Sequence, residues 1–346
     1  MNPTLLPVDV RALLKDPSHI DTISRVEIHR PSRPSRVPLV GVDPASESLL
    51  GWSTVTSRAG LTELRVSPPV GYLEFHNVAL FGQGSIASGE QCRSADGVVG
   101  PSKEAVRVAR RDLKVYDHWL LVMLPSLSSL AEGFLSGDLP LLSSNLTPPF
   151  AKGPLTSAGI NNELTTFRHH RQVVEVERLI SPVLLNNHRA FHPEARQFFT
   201  SWAEQHTGPS LLGPLIHVAR RPSNSYTYKR TTPKQKTLSE SAMDVGFDVL
   251  CGEDWTIEEQ IEIFSNAKFV TREAGPDCHN TVFSPSETPV LKLRSAGFPS
   301  CMQGTIAQLL DHDYLPLGVD DDFAPQHMRD AVMSSRRSVL VTAAKS

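Results

Sequence analysis

The fold is decided by four apolar segments: PLIHVARR (214–221), FDVLC (247–251), KFVT (268–271) and PVLKLR (289–294). Each is short enough to be a buried strand. Two helical patterns separate the first three, QKTLSESAMDVG (235–246) and TIEEQIEIFSNA (256–267). Strands that alternate with helices of about a dozen residues predict a parallel sheet with helices on its faces.

A parallel sheet of this kind binds ligands beyond the carboxyl ends of its strands. Arg220 and Arg221 end the first strand, and the loop REAGPDCHN (272–280) follows the third. A guanidinium can bind two phosphate oxygens at once, and Gly275 would let the main chain approach a ligand closely. The edge therefore predicts a nucleotide or diphosphate site, with a pair of surface arginines as the alternative.

The second helix has a clear start signal. Thr256 precedes Glu259 by three residues, which is the spacing of a capping box. Ile257, Ile261 and Phe264 then recur at helical spacing and form an apolar face. Glu259 is accordingly interpreted as a capping group, not as a catalytic carboxylate.

Composition indicates a globular protein of about two domains. The 346 residues are 40% hydrophobic and 21% charged, and the net charge is −3. A nucleic-acid-binding protein would usually show a strong basic excess, so no nucleic-acid partner is expected.

Basic residues cluster locally in three segments: RVEIHRPSRPSR (25–36), KEAVRVARRDLK (103–114) and FRHHR (167–171). These segments are either solvated faces or sites for an acidic ligand or an anionic membrane surface.

The cysteines and the apolar stretches bear on location. Cys92, Cys251, Cys278 and Cys301 are far apart and form no CxxC motif, which fits a reducing compartment. The first thirty residues lack a signal-peptide pattern, and the longest apolar run is shorter than the about 20 residues that a membrane span needs. The expected location is cytoplasmic, with a peripheral position at the inner membrane as the alternative.

Further elements follow from local patterns. Strands are predicted at LTELRV (61–66), NVALFG (77–82) and EVERLISPVLL (175–185), and helices at 103–114, 116–134, 194–206 and in short pieces after 295. Pro125 lies inside the second of these helices and should kink it. Residues 1–60 are predicted to be an irregular lead-in. The stretch TGPSLLGP (207–214) predicts a boundary between domain 1–207 and domain 208–346.

Six segments occur in an order that resembles a known family: YDHWLLVMLPSL (116–127), LISPVLLNNHRAFHPEARQFF (179–199), IHVARR (216–221), GFDVL (246–250), DWTIEEQIEIFSNAKFVTREAGPDCHNTVFSP (254–285) and PVLKL (289–293). The order and spacing resemble glycosyltransferase family 61, the capsular-polysaccharide and xylosyltransferase-like enzymes. Ala274 stands where members usually have His, and Pro276 and Asp277 stand where they usually have small residues. The ending His279-Asn280 is similar to that of some bacterial members.

The resemblance implies an α/β, GT-B-like fold with two Rossmann-like domains facing a cleft. Domain 1–207 would be the acceptor side, and domain 208–346 would bind the nucleotide sugar. The implied reaction is inverting transfer of a sugar from a nucleotide-sugar donor to a glycan acceptor hydroxyl, with no cofactor or metal, in surface (capsule) polysaccharide biosynthesis.

Inverting transfer needs a base for the acceptor proton and cations or amides for the leaving diphosphate. His118 is the first candidate base, because an imidazole has a suitable pKa. Asp117 would orient His118 or replace it as the base. The alternative is that His118 only packs and caps the helix start.

On the donor side, Arg220, Arg221 and, more weakly, Arg230 are candidates for the diphosphate. Gln260 is a candidate for contact with the nucleoside, and Gly275, His279 and Asn280 for the donor loop. Asn280 could equally cap a turn.

Other motifs are interpreted structurally. DHD (311–313) mimics a metal-binding Asp-x-Asp motif but follows a helical run, and HRAFH (188–192) has metal-like spacing but no evident third ligand. Two other functions stay open. The altered loop 274–277 would suit a non-catalytic relative that binds a glycan or a partner enzyme. A GT-B-like transferase that moves pyruvyl or phosphate groups is the weaker alternative.

Overall fold

The structure is a computed structural model that describes residues 26–29, 36–40, 62–66, 72–81, 86–88, 98–108, 115–130, 134–135, 137–145, 147–168, 172–182, 184–186, 191–206, 208–220, 235–273, 277–294, 302–319, 326–330 and 332–333. These residues form two compact units. Arg221, Arg230 and Gly275 lie outside the described residues.

Fourteen strands are described: β1 (Val26–His29), β2 (Arg36–Val40), β3 (Thr62–Val66), β4 (Tyr72–Phe81), β5 (Ile86–Ser88), β6 (Val98–Arg107), β7 (Leu141–Ser143), β8 (Leu164–Thr166), β9 (Val173–Pro182), β10 (Leu215–Ala219), β11 (Asp248–Cys251), β12 (Phe269–Arg272), β13 (Pro289–Arg294) and β14 (Asp313–Gly318).

The longer helical segments are α1, which runs through Tyr116–His118, Trp119–Met123 and Leu124–Ser128, then α2 (Lys152–Ser157), α3 (Glu194–Gln205), α4 (Gln235–Asp244), α5 (Ile257–Ser265) and α6 (Met302–Leu310). Short 3-10 turns occupy Pro149–Ala151, Gly252–Asp254 and Asp277–Phe283.

The first unit contains a mixed seven-stranded sheet in the order β1-β4-β9-β6-β7-β8, with β5 paired to β4. Strands β9, β6, β7 and β8 are parallel, whereas β4 is antiparallel to β1, β5 and β9. Helix α1 connects the parallel neighbours β6 and β7, so its first turn lies on the carboxyl side of the parallel strands. The antiparallel part departs from the wholly parallel sheet of an ideal Rossmann-like half.

Helix α1 accommodates Pro125 through a change of helix type. Its middle segment, Trp119–Met123, is a π-helix, and α-helical geometry returns at Leu124. Proline has no N–H to donate to the carbonyl four residues earlier, and here Nδ2 of Asn186 lies 3.4 Å from the oxygen of Leu121. The predicted distortion at Pro125 is confirmed, and Asn186 compensates for the lost hydrogen bond.

The helix predicted at 103–114 is wrong for its first half, which belongs to β6. Ala105 pairs with Leu179 of β9, while the N–H of Val106 donates to the oxygen of Pro140 at 3.0 Å. Pairing on both sides buries Ala105 and Val106 completely. Tertiary pairing thus overrides a locally helical composition.

The second unit contains a wholly parallel five-stranded sheet in the order β11-β10-β12-β13-β14. In chain order this is a doubly wound 2-1-3-4-5 arrangement, whose order reverses between β10 and β12. All strands and both helices predicted within 214–294 are confirmed. Strands β2 and β3 pair separately as a two-stranded sheet.

Helices pack on both faces of the parallel sheet. Leu238 and Ala242 of α4 share a buried cluster with Phe269 and Leu291. Gly246 ends this helix region with φ 88°, a left-handed conformation that favours glycine. These features confirm the α/β class.

The sequence interpretation missed seven of the described strands. β1 and β2 lie within residues 1–60, and β14 lies in the region after 295 where only short helices were predicted. The other four are β5, β6, β7 and β8. None of the helices in the described ranges is long and apolar enough to cross a membrane.

Candidate functional site

The carboxyl edge of the parallel sheet in the second unit holds Arg220, one of the predicted donor-side residues. Arg220 directly follows β10, and Glu273 directly follows β12. These two strands are neighbours and flank the point where the strand order reverses. Open parallel sheets bind ligands in the crevice at such a point. Arg220 is partly exposed there, as a diphosphate ligand would require.

Three buried polar side chains lie on one face of the sheet at this edge. His217 Nδ1 is 2.7 Å from Thr271 Oγ1 across the paired strands β10 and β12. His217 Nε2 lies 3.8 Å from the carboxylate of Glu273, and both side chains are wholly buried. The N–H of Glu273 also donates to the oxygen of Val218 at 3.1 Å, which extends the strand ladder by one residue. The residue that begins the donor loop is thereby fixed in position.

The opposite face carries a second buried network around Arg272, which is 1% exposed. Its guanidinium donates through Nη1 to Oε1 of Gln303 on α6. The Nε2 of Gln303 donates to Thr281 Oγ1 at 2.9 Å. A guanidinium has only donors, so Gln303 must turn its oxygen toward Arg272 and its NH₂ toward Thr281.

Lys292 is wholly buried and occupies the position on β13 that pairs with Arg272 on β12. Two buried cationic side chains on adjacent strands are costly unless polar or anionic groups surround them. For Arg272, the amide oxygen of Gln303 and the main-chain oxygen of Glu273, 3.2 Å from Nε, are polar groups of that kind.

The predicted donor residues Gln260 and Asn280 bind each other. Asn280 Nδ2 donates to Oε1 of Gln260. Gln260 Nε2 donates in turn to the oxygens of Gly252 and Trp255, each at 3.0 Å. Both amides therefore tie the turn Asp277–Phe283 to α5, which is a positioning role. Direct contact of either side chain with a donor stays a prediction.

The same turn is fixed from a third side by aromatic packing. Phe283 makes edge-to-face contacts with Phe199 and Trp202 of α3, with ring centroids 5.9 and 5.1 Å apart. Such pairs add about 0.5–1.5 kcal/mol to area burial. His279, another predicted donor residue, is 5% exposed within this turn.

The predicted base lies in the first unit. His118 is half-buried in the first turn of α1, and its main-chain N–H donates to Asp117 Oδ1 at 3.1 Å. Tyr116 packs edge-to-face on Phe150, with centroids 5.6 Å apart. This contact brings the start of α1 against the 3-10 turn that follows β7. The structure thus places Asp117 and His118 at the carboxyl edge of the first sheet.

The two metal-like motifs have structural roles. In HRAFH (188–192), His192 Nδ1 accepts the N–H of Glu194 at 3.2 Å at the start of α3, and burial lowers the pKa of His192. In DHD (311–313), His312 is buried and Nε2 lies 3.4 Å from the oxygen of Ser284. Among the residues that the structure describes, no group of three or more His, Cys, Asp or Glu is arranged to hold a metal ion.

Sequence reasoning missed most of the buried partners at the donor edge: His217, Thr271, Glu273, Thr281, Lys292 and Gln303. Some signals were present. Glu273 lies in the quoted loop, and Lys292 interrupts an apolar parallel strand, where a charge is unexpected. Gln303 gave no local signal, because it lies on an otherwise ordinary apolar helix.

Comparison with known families agrees with this geometry. The model of the family Glycosyltransferase 61 matches residues 116–291, which is just over half of the chain. The match spans α1, the parallel sheet from β10 to β13, and the turn Asp277–Phe283. No curated protein matches the chain.

Proposed function

The chain belongs to glycosyltransferase family 61, and from that premise we propose that it transfers a sugar from a nucleotide-sugar donor to a glycan acceptor hydroxyl with inversion. The observation that carries the proposal is the carboxyl edge at β10 and β12. There a cationic side chain, Arg220, borders a main-chain segment that buried groups hold from several sides. The topology puts this edge where doubly wound sheets bind ligands.

The donor chemistry fits these groups. The leaving nucleoside diphosphate gains negative charge as the sugar departs, and a positioned guanidinium stabilises that charge. Arg220 supplies the guanidinium in this proposal. Gln260 and Asn280 hold the neighbouring turn, and preorganised positioning lowers the cost of reaching the transition state.

The proposed acceptor chemistry uses His118. The acceptor oxygen attacks the anomeric carbon opposite the diphosphate, so the new C–O bond forms as the bond to the diphosphate oxygen breaks. The imidazole of His118 takes the proton of the acceptor hydroxyl, and Asp117 orients the helix start. This division of labour requires that the two units face a GT-B-like cleft, which is part of the proposal.

The cellular setting is also proposed. We place the reaction in surface (capsule) polysaccharide biosynthesis on the cytoplasmic side, without metal or cofactor. A peripheral contact of basic segments with an anionic inner-membrane surface would bring the enzyme to a lipid-linked acceptor.

Thermal shift against UDP, GDP, CMP and their sugar derivatives tests the donor. A ligand that binds only the folded protein at 100 times its dissociation constant adds about 2.7 kcal/mol of stability, so one nucleotide class should raise Tm clearly. Arg220→Gln should weaken that shift. Arg196→Ala, which changes an exposed arginine of the same unit, is the matched control. Absence of any nucleotide effect would count against the proposal.

A turnover assay tests the base. His118→Ala should leave nucleotide binding near normal and lower turnover about 10²–10⁴-fold. Full turnover in this variant excludes His118 as the base. Glycan binding without nucleotide binding or transfer would instead favour the non-catalytic binding module.

A further inference from the structure

We infer that Gln303 is a positioning residue for the donor segment, by which we mean the turn Asp277–Phe283, because its single amide joins this turn to the end of β12. The inference rests on the proposed function, since it assumes that this segment binds the donor. Gln303 itself is wholly buried and need not touch the ligand.

The bridging geometry carries the argument. Oε1 of Gln303 accepts from Arg272, the last residue of β12. Nε2 donates at 2.9 Å to Thr281, in the turn. One rigid amide therefore fixes the distance between the end of β12 and this turn.

The chemistry of the site requires a polar side chain with an acceptor. Arg272 offers only donors, so the bridging group must present an acceptor on one side. Thr281 Oγ1 then receives an N–H from the other side. A carboxylate would accept from Arg272 and could also accept from the Thr281 hydroxyl, which can turn to donate. An apolar side chain would leave both groups without this partner. The cost of an unsatisfied buried polar group makes such losses expensive.

The position of Gln303 also separates this role from the family features. It lies on α6, beyond the residues 116–291 that match the family. The helix thus adds a third support to a turn that α5 holds through Gln260–Asn280 and α3 holds through ring contacts.

The chain offers a matched control on the same helix. Thr305 is 2% exposed, and its hydroxyl donates to the oxygen of Met302 at 2.7 Å, within α6. Thr305→Val therefore removes one buried hydrogen bond without touching the donor segment. Gln303→Met removes both bridging bonds and keeps nearly the same side-chain length.

The experiment compares these two variants in hydrogen exchange and in titration with the nucleotide sugar that stabilises the wild type. Gln303→Met should speed exchange of the amides in 280–284 and raise the donor dissociation constant about 10–100-fold, as expected when a binding segment is misplaced. Thr305→Val should change neither. Equal effects of the two variants, or unchanged donor binding in Gln303→Met, would overturn the inference.

Two further variants test the two hydrogen bonds of Gln303. Gln303→Glu can accept from both Arg272 and the Thr281 hydroxyl, so it should restore most of the donor binding and of the slow exchange that Gln303→Met loses. Losses in Gln303→Glu as large as those in Gln303→Met would contradict the bridge. Thr281→Val should weaken donor binding, with little further loss when combined with Gln303→Met, because both break the same bridge. Full additivity of the two losses contradicts a shared bridge.

Failure of the proposed function can be distinguished from failure of the inference about Gln303. If the wild type binds no nucleotide sugar, the proposed function fails. The exchange comparison still decides whether Gln303 fixes the turn: faster exchange in Gln303→Met alone supports the bridge, and equal exchange overturns it.

Discussion

Two arginines, one in each unit, show how differently the same side chain can be used. Arg178 of β9 lies across the first sheet, where it binds Glu74 at 2.9 and 3.1 Å and Glu104 at 3.3 Å. Its side chain is 32% exposed, and it also lies 5.5 Å from the ring centroid of Phe134. Arg272 is 1% exposed and depends on Gln303 and on other buried groups.

The two arginines differ in what their charge does: that of Arg178 stabilises the sheet, whereas that of Arg272 fixes the positions of neighbouring side chains. Water and two carboxylates solvate Arg178, and hydrogen bonding to Glu74 raises its pKa. This cluster joins β4, β6 and β9, and its partly exposed charges lose little hydration. A buried guanidinium must instead find every partner inside the protein, so its neighbours are fixed in place. We therefore expect a substitution to lower the free energy of unfolding more when the replaced side chain is more deeply buried.

The largest effect is expected for Arg272→Met, which removes the donors to the amide oxygen of Gln303 and the main-chain oxygen of Glu273. Loss of each buried bond costs about 1–3 kcal/mol of unfolding free energy where the acceptor is left unsatisfied. Urea denaturation of the variant beside wild type measures this loss, and Arg272→Lys shows whether charge alone suffices. A loss below about 1 kcal/mol would remove the contrast with Arg178.

The next effect concerns His312, a buried neutral side chain of the second unit. Burial lowers its pKa from 6.5 to about 4. Between those pH values the unfolded chain binds a proton that the folded protein does not bind, so stability falls as pH falls, by about 3 kcal/mol in all. His312→Gln should flatten the dependence of Tm on pH between 6.5 and 4. An unchanged slope would show that other groups cause it.

Arg178→Met is expected to lower the free energy of unfolding by about 1–2 kcal/mol. The variant leaves the largely buried Glu74 without this partner, but water can reach the cluster and limits the loss. Arg178→Lys should recover part of the loss, since an ammonium keeps the charge but not the paired bonds. Denaturation at two salt concentrations measures both. A loss as large as that of Arg272→Met would mean that burial does not set the order.

The smallest effect is expected for Arg196→Ala. Arg196 binds Asp311 at 2.7 Å and Ser286 at 2.8 Å, but the two charged side chains are 41% and 62% exposed. Exposed pairs contribute about 0.2–1 kcal/mol, and salt screens them. The Tm difference from wild type should shrink further in 1 M NaCl, and a loss above that range would indicate a role beyond the ion pair.

Local signals in the sequence predicted much of the second unit. The capping box is confirmed: Glu259 N donates to Thr256 Oγ1 at 3.2 Å, and Thr256 N donates to Glu259 Oε2 at 2.8 Å. Strands β10 to β13 are short apolar runs with clear ends, so they too were predictable. The placement of Arg220 beside the end of β12 followed from the parallel topology alone.

Other features depend on contacts between distant residues. The helical composition of the first half of 103–114 gave way to strand pairing of β6 with β9, some seventy residues later. The Arg272–Gln303 bond joins residues 31 apart, and His217–Thr271 joins residues 54 apart. The local sequence does not identify these partners, because a glutamine or histidine that will be buried has the same local pattern as an exposed one. Only the folded chain brings the partners together.

The most direct measurement is hydrogen exchange of the wild-type protein with and without a saturating nucleotide sugar. We expect slower exchange at the end of β10 around Arg220 and in the turn Asp277–Phe283, with little change in the strands β4 and β9. Protection confined to the first unit, or no protection with any nucleotide, would contradict the placement of the donor at this edge.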